Sequence, residues 1–404
     1  MRTIPIVAAR PAPPPGELEF RISPPLALYV HFPWCVRKCP YCDFNSHEAK
    51  GEMPESAYVD ALIADLQSAL PLIWGRPIGS VFFGGGTPSL LTPESVDRLL
   101  TAFRTLTPLS PEAEITLEAN PGAIDAARFA GFRTAGVNRL SLGIQSFNDR
   151  HLTALGRIHG GNDARAAAEL AARHFDNFNL DLMYGLPGQT MDEALADVEQ
   201  ALAAGPTHLS CYQLTLEPNT RFAAEPPVLP DGDLCADMQD AIEARLAAAS
   251  FDNYETSAFA RPERRSRHNQ NYWYFGDYLG IGAGAHSKLT LHDRVLRQMR
   301  WKHPSAYLTQ SAAGNTVQEE KQIGATELPF EFMMNALRLS DGFHPDLFAA
   351  RTGTPIEGII GALREAEAAG LLKVSPALIQ PTLRGRRFLN RLLDIFLPDS
   401  PEAA

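Results

Sequence analysis

No stretch of the 404-residue chain approaches the roughly 18–20 consecutive apolar residues that a membrane span needs. The early apolar patch in MRTIPIVAARPAPPP is cut by Pro5 before it reaches the length of a secretory segment. No membrane span is therefore expected, which leaves peripheral membrane association open. Basic residues are also in short supply: 36 Lys and Arg against 47 Asp and Glu give a net charge of -11. That balance is wrong for displacing counterions along a phosphate backbone, so no nucleic acid is expected as a partner. Cysteine is scarce too. Of the five, three fall within residues 35–42, a cluster too tight to bridge distant elements, and a reducing cytoplasm suits it better than a disulfide framework.

What is present is concentrated in HFPWCVRKCPYCDFNS, residues 31–46, where Cys35, Cys39 and Cys42 form a C-x3-C-x2-C pattern with no fourth cysteine after it. Thiolates are soft ligands that select zinc or iron–sulfur clusters. Structural zinc wants four closed ligands, usually from two separated pairs, and the chain has no second C-x2-C. A cubane 4Fe-4S cluster on three cysteines leaves one iron open to a small molecule. His31, His47 or Asp43 could complete a zinc site instead, and buried free thiols are the bland alternative. Cys211 and Cys235 stand alone in other segments and read as structural.

Short runs rich in β-branched and aromatic residues, ALYVHF (27–32), SVFFGG (80–85), EITLEAN (114–120), RLSLGIQS (139–146), NLDLMYGL (179–186) and THLSCYQL (207–214), alternate with helical patterns such as SAYVDALIADLQSAL and MDEALADVEQALAAG. Six β/α units predict an α/β fold with a parallel sheet and right-handed crossovers, a partial (βα)6 barrel of TIM type over residues 25–250. Residues 1–24 read as a flexible Pro-rich arm. Residues 251–320 read as an irregular, aromatic, Gly-rich connection. Residues 321–404 read as helix, helix, hairpin, helix, a small winged-helix-like domain whose GRRFLNR stretch is a solvated basic turn.

Polar residues recur at the carboxyl ends of the expected strands: Glu118 in LEANP, Gln145 in GIQSF, Asp181 in DLMYGLPGQT, with Arg157 in the loop between. Singly each is an ordinary surface or capping residue; together they sit where α/β barrels build sites. FGGGTP, with Gly84 to Pro88, follows the second strand, where glycines would bring backbone amides close to a ligand or simply form a tight turn. It lacks the lysine of a phosphate-binding loop.

The cysteine spacing, with Tyr41 before the last thiol, resembles the signature of radical S-adenosylmethionine (radical SAM) proteins. The order of motifs over residues 25–400 is similar to their coproporphyrinogen dehydrogenase branch. That resemblance implies a 4Fe-4S cluster on Cys35, Cys39 and Cys42, and S-adenosyl-L-methionine contacts at Tyr29, Gly86, Thr87, Glu118, Gln145, Arg157 and Asp181. In the oxygen-independent coproporphyrinogen III dehydrogenases a fourth cysteine follows at the position of Phe44, and a longer N-terminal region is usual, whereas here the first strand begins within about 27 residues. HNQNYW (268–273) instead resembles the H-N-x-x-Y-W motif of the HemW family of heme chaperones. This implies heme held through His268, with Tyr272 and Trp273 against the porphyrin, for delivery to acceptor hemoproteins, plausibly respiratory ones. The residues alone support a heme ligand only in that neutral imidazole binds iron and aromatics pack on a porphyrin face; a hydrogen-bonded loop histidine is the alternative, and His286 is a second candidate. The rival function is oxidative decarboxylation of coproporphyrinogen III in heme biosynthesis.

Overall fold

The computed structural model describes residues 18–123 and 125–398. The six expected strands are present as β1 (Leu26–Phe32), β2 (Ile78–Gly85), β3 (Leu109–Ala119), β4 (Arg139–Gln145), β5 (Phe178–Tyr184) and β6 (His208–Gln213). They lie side by side in chain order and pair in parallel throughout. Crossover helices Glu55–Ile73, Pro93–Leu106, Ala126–Ala135, Gly161–His174, Met191–Ala203 and Gly232–Ala248 cover the outside. Most begin on a side chain that accepts from the helix's own first amides, as Thr92, Asp125, Thr190 and Asp231 do.

Side chains on a strand alternate between faces, and here the alternation separates oil from polar chemistry. The outward set, including Leu28, Val30, Phe83, Leu117, Leu142, Leu180 and Leu209, is fully buried against the helices in the main core. The inward set on β3 to β6 is Glu114, Thr116 and Glu118, then Arg139, Ser141 and Gln145, then Asn179 and Asp181, then His208 and Ser210. The apolar core therefore lies between strands and helices, and the barrel interior is polar.

The sheet is larger than the six units. Residues 251–320, expected to be irregular, supply β7 (Asp252–Asn253), β8 (Ala258–Ala260), β9 (Asp277–Ile281), β10 (His286–Thr290), β11 (Val295–Arg300) and β12 (Val317–Ile323). The order across the sheet is β12-β11-β10-β9-β1-β2-β3-β4-β5-β6-β8-β7, with β9 parallel to β1. In β9, DYLGI, a charge and a glycine break the apolar run that marks the other strands. The charge is neutralised locally: Asp277 pairs with Lys288 at 3.0 Å and Arg76 at 2.8 Å, all three being buried or nearly so. A second buried pair, Asp65 with Arg300 at 3.0 Å, ties the first helix to β11.

The C-terminal part packs helices Leu328–Ala336, Pro345–Thr352 and Ile360–Ala368 with a hairpin of β13 (Leu372–Val374) and β14 (Ile379–Pro381) around Phe332, Phe343, Phe348, Leu363 and Leu392. The helix at 345–352 was not anticipated, and the last helical stretch is split into Leu383–Arg387 and Leu389–Asp394. The basic turn is not merely solvated: Arg387 bonds Glu243 of a barrel helix at 2.7 Å, and Arg386 bonds Ser340 at 3.2 Å. Of the N-terminal arm, residues 1–17 lie outside the described residues. Leu18 and Phe20 pack on the second core, and the Phe20 amide donates to His292 O at 3.0 Å, so this end of the expected flexible arm is held.

Candidate functional site

The loop after β1 carries the three cysteines over the carboxyl ends of the barrel strands. Its two ends are zipped by a short parallel pairing of Trp34–Cys35 with His47–Glu48. Lys38 crosses it, donating to Phe44 O and Ser46 O at 3.1 Å each. Asn45 bolts it to the far side of the sheet through two 2.9 Å bonds from Nδ2, to Ala283 O and Lys302 O. Cys35, Cys39 and Cys42 are free, half-buried, and line one cavity of about 470 Å³. Burial raises the Cys35 and Cys42 thiols, and the neighbouring cysteines add to the effect.

Among the described residues no three His, Cys, Asp or Glu side chains converge closely enough to hold a single metal ion. The zinc alternative loses its extra ligands as well. His31 is buried, with Nε2 on Asn45 O and Nδ1 on the Tyr29 hydroxyl, each at 3.0 Å, and burial pushes its pKa down to about 4. His47 faces Asn45 and His303, and Asp43 is exposed. Three soft donors around an open cavity, with no fourth beside them, fit a group larger than one ion.

The glycines of FGGGTP serve packing. A Cβ on Gly86 would lie 2.5 Å from Trp34 O, and one on Gly85, at φ +113°, would lie 2.6 Å from the His31 ring. Their amides are not free for a ligand, as the sequence had suggested. Gly85 N donates to Glu118 Oε2 at 3.2 Å, Gly86 N to Phe32 O at 2.7 Å, and Thr87 N to Trp34 O at 2.8 Å. The strand leading into the cysteine loop consumes the last two and the Glu118 carboxyl the first.

From this turn a polar relay crosses the cavity. Asn120 Nδ2 donates to Thr87 Oγ1 at 2.9 Å and its Oδ1 accepts from Arg157 Nη2 at 2.5 Å. Arg157 also donates to Gly143 O at 2.9 Å, Cys39 Sγ at 3.5 Å and the Tyr41 hydroxyl at 3.4 Å. Gln145 closes β4 in the left-handed region at φ +68° and also faces the cavity. A strained non-glycine residue of this kind persists only where its surroundings hold it.

Deeper in, burial and the Asp181 charge push the Glu118 carboxyl up to about 8, although the backbone N–H of Gly85 opposes the shift. Burial also raises Asp181, against bonds from Ser141 at 3.2 Å and Asn179 at 2.8 Å. Below them His208 joins Asn179 Oδ1 at 2.7 Å and the Tyr254 hydroxyl at 2.8 Å. Of the expected S-adenosylmethionine contacts, Gly86, Thr87, Glu118, Gln145, Arg157 and Asp181 line the cavity. Tyr29 lies behind the lining, its hydroxyl turned to His31. Asn120, Arg139, Asn179 and His208 line it unanticipated. Their signal was the same, a polar residue at an inward position of an apolar strand.

The HNQNYW segment forms helix Arg267–Trp273, capped by Ser266 Oγ accepting from Asn269 N. It packs on β1, β2 and β9 through Tyr29, Phe82 and Tyr278. His268 is buried, 4% exposed, stacked on Phe82 at 4.8 Å, with Nδ1 on Ser80 Oγ at 3.3 Å and its amide on Glu114. Burial takes its pKa down to about 3, so the ring is neutral. Tyr272 stacks on Tyr278 at 4.3 Å and Trp273 lies under Arg338 at 5.1 Å. None of these three lines the cavity; the neighbouring Asn269 does. His286 is exposed on β10 and also stands outside the lining. Cys211 and Cys235 are buried away from the other thiols, and burial pushes Cys211 up to about 12.

Comparison with known proteins identifies the fold and the family. Residues 29–201 match the Radical SAM superfamily, and residues 323–388 match the HemN C-terminal domain. The heme chaperone HemW of Escherichia coli strain K12 is 48% identical over 378 residues, covering 93% of this chain and 99% of that protein. Radical S-adenosyl methionine domain-containing protein 1, mitochondrial, of Mus musculus is 36% identical over 93% of this chain and 88% of its own length. Among solved structures, the coproporphyrinogen III oxidase HemN of Escherichia coli superposes with a TM-score of 0.78 at 24% identity, over 93% of this chain and 90% of that one.

Proposed function

The chain belongs to the HemW family of heme chaperones, and from that premise we propose that it binds heme and hands it to an acceptor hemoprotein. Cys35, Cys39 and Cys42 would hold a 4Fe-4S cluster. Gly86, Thr87, Glu118, Gln145, Arg157 and Asp181 would hold S-adenosylmethionine beside it, with Tyr29 fixing His31 behind them. When bound, the cluster supplies one open iron for a small-molecule chelate and a one-electron couple. The chain's own part is electrostatic and steric. Arg157 joins the Cys39 sulfur to Asn120 and through it to Thr87, so the cysteine loop and the ligand wall are one hydrogen-bonded unit. Glu118, half-protonated near pH 8, presents a hydroxyl at neutral pH as well as acceptor oxygens.

One observation carries the chaperone reading over the dehydrogenase: near-half identity runs along almost the whole of a heme chaperone, whereas the likeness to HemN is one of fold. Phe44 agrees with it, standing exposed where the dehydrogenases have a cysteine. His268 would serve as a neutral heme ligand, and its burial behind Phe82 requires helix 267–273 to shift for iron to reach it. The acceptor would be a respiratory hemoprotein. The experiment is an anaerobic heme titration of cluster-reconstituted protein, followed by visible absorption, with a parallel coproporphyrinogen III turnover assay. Stoichiometric heme binding without turnover is expected. Turnover in the presence of S-adenosylmethionine and reductant, with no heme bound, would replace the reading by the dehydrogenase.

A further inference from the structure

Of the thirteen large apolar side chains exposed among the described residues, five stand at or beside the cavity mouth. Val36 and Phe44 project from the cysteine loop, Ile158 from the loop after Arg157, and Tyr212 from the end of β6. They are 48%, 59%, 48% and 42% exposed, and all four line the cavity. Leu216 stands between two further lining residues, Thr215 and Glu217. Side chains from three separate loops and one strand end thus form an apolar rim around a polar well. Soluble proteins rarely leave such surface open without a partner for it. Arg37, exposed on the same rim, lines the cavity and has no ion pair among the described residues.

We propose that this rim is the docking platform for the heme macrocycle, which lies across the mouth with its apolar face on Phe44, Val36, Ile158 and Leu216 and a propionate at Arg37. The proposal rests on the heme-binding reading above but not on His268. Three features select this occupant. A porphyrin is flat, apolar over its faces and anionic only at one edge, which matches an apolar ring with one free guanidinium. The well beneath is lined by Glu118, Arg139, Asn179, Asp181 and His208, groups that an apolar macrocycle would have to desolvate on entering. At about 470 Å³ the well sits toward the lower part of the roughly 300–1,000 Å³ that encloses one drug-sized ligand. That volume suits one small ligand, which the reading above takes to be S-adenosylmethionine.

The test compares the parent with Phe44→Ser/Ile158→Ser and with Arg37→Gln in anaerobic titrations of the reconstituted full chain. Hemin and hemin dimethyl ester are the ligands, and S-adenosylmethionine binding is measured in parallel. The double variant is expected to bind hemin at least tenfold more weakly while its iron content and S-adenosylmethionine affinity stay those of the parent. The parent should favour hemin over the ester, and Arg37→Gln should abolish that preference. Parent-like hemin binding by the double variant overturns the proposal, as does a change in its oligomeric state alone, which would make the rim a contact between copies. Failure of the parent itself to bind hemin defeats the functional reading instead, so the two failures are distinguishable.

Discussion

Replacing Glu118 by Gln should change how stability depends on pH, and the size of the effect follows from the barrel interior. The Glu118 pKa is about 8 in the fold against an ordinary 4.5. Between those values the folded protein keeps a proton that the unfolded chain has lost. Stability therefore falls as pH rises through this window and levels off above pH 8. At about 1.4 kcal/mol per unit, the change from pH 5.5 to 8 has a ceiling of roughly 3 kcal/mol. Cavity water reaches part of the side chain, which reduces the working figure to about 2 kcal/mol. The assay is urea denaturation of the cluster-free protein at pH 5.5, 7 and 8.5, parent against Glu118→Gln. The amide keeps an acceptor for the Gly85 amide and cannot ionise, so the difference between the two curves isolates this carboxyl. The variant should gain about 2 kcal/mol on the parent from low to high pH. Parallel curves would refute the reasoning and mean that Glu118 is ionised in the fold at neutral pH.

Asp65→Ala should cost about 3–5 kcal/mol in the same denaturation assay, because it leaves Arg300 buried and unpaired; Asp65→Leu with Arg300→Met should recover most of that loss, and a small effect of the single change would show the pair to be solvated. Arg157→Lys should leave the fold intact and lower S-adenosylmethionine affinity about tenfold in equilibrium dialysis, since an ammonium cannot reach Asn120, Gly143 and Cys39 together; unchanged affinity would count against the relay. Gly86→Ala should lower stability by about 1–3 kcal/mol, read as a fall in thermal midpoint, because its methyl group would meet the Trp34 carbonyl.

The barrel was legible because its strands are unusually apolar on one face: VHF, VFF, ITL and LDL advertise themselves whatever the other face carries. Glu118, Gln145 and Asp181 stood out as polar residues gathered toward the carboxyl ends of those strands within recognisable motifs. Arg139 and His208 open their strands and Asn120 lies just past the end of one, positions where polar residues are ordinary and attract no notice. The extension of the sheet through β9 to β12 was hidden for another reason. Asp277 and Lys288 are tolerable in strands because they meet each other across a turn and Asp277 also meets Arg76, a partner far away in the chain. HNQNYW shows the reverse failure. The motif was plain, but its burial behind Phe82 depends on Ser80 and Glu114, 188 and 154 residues earlier.

Asn45 carries a consequence for synthesis. Its two clamping bonds reach residues 283 and 302, so the thiols leave the ribosome early while the lock on their loop arrives only with the last third of the chain. Until then the loop is held only by its own zipped ends and the Lys38 bridge. Its final anchorage to the sheet is thereby scheduled by chain order.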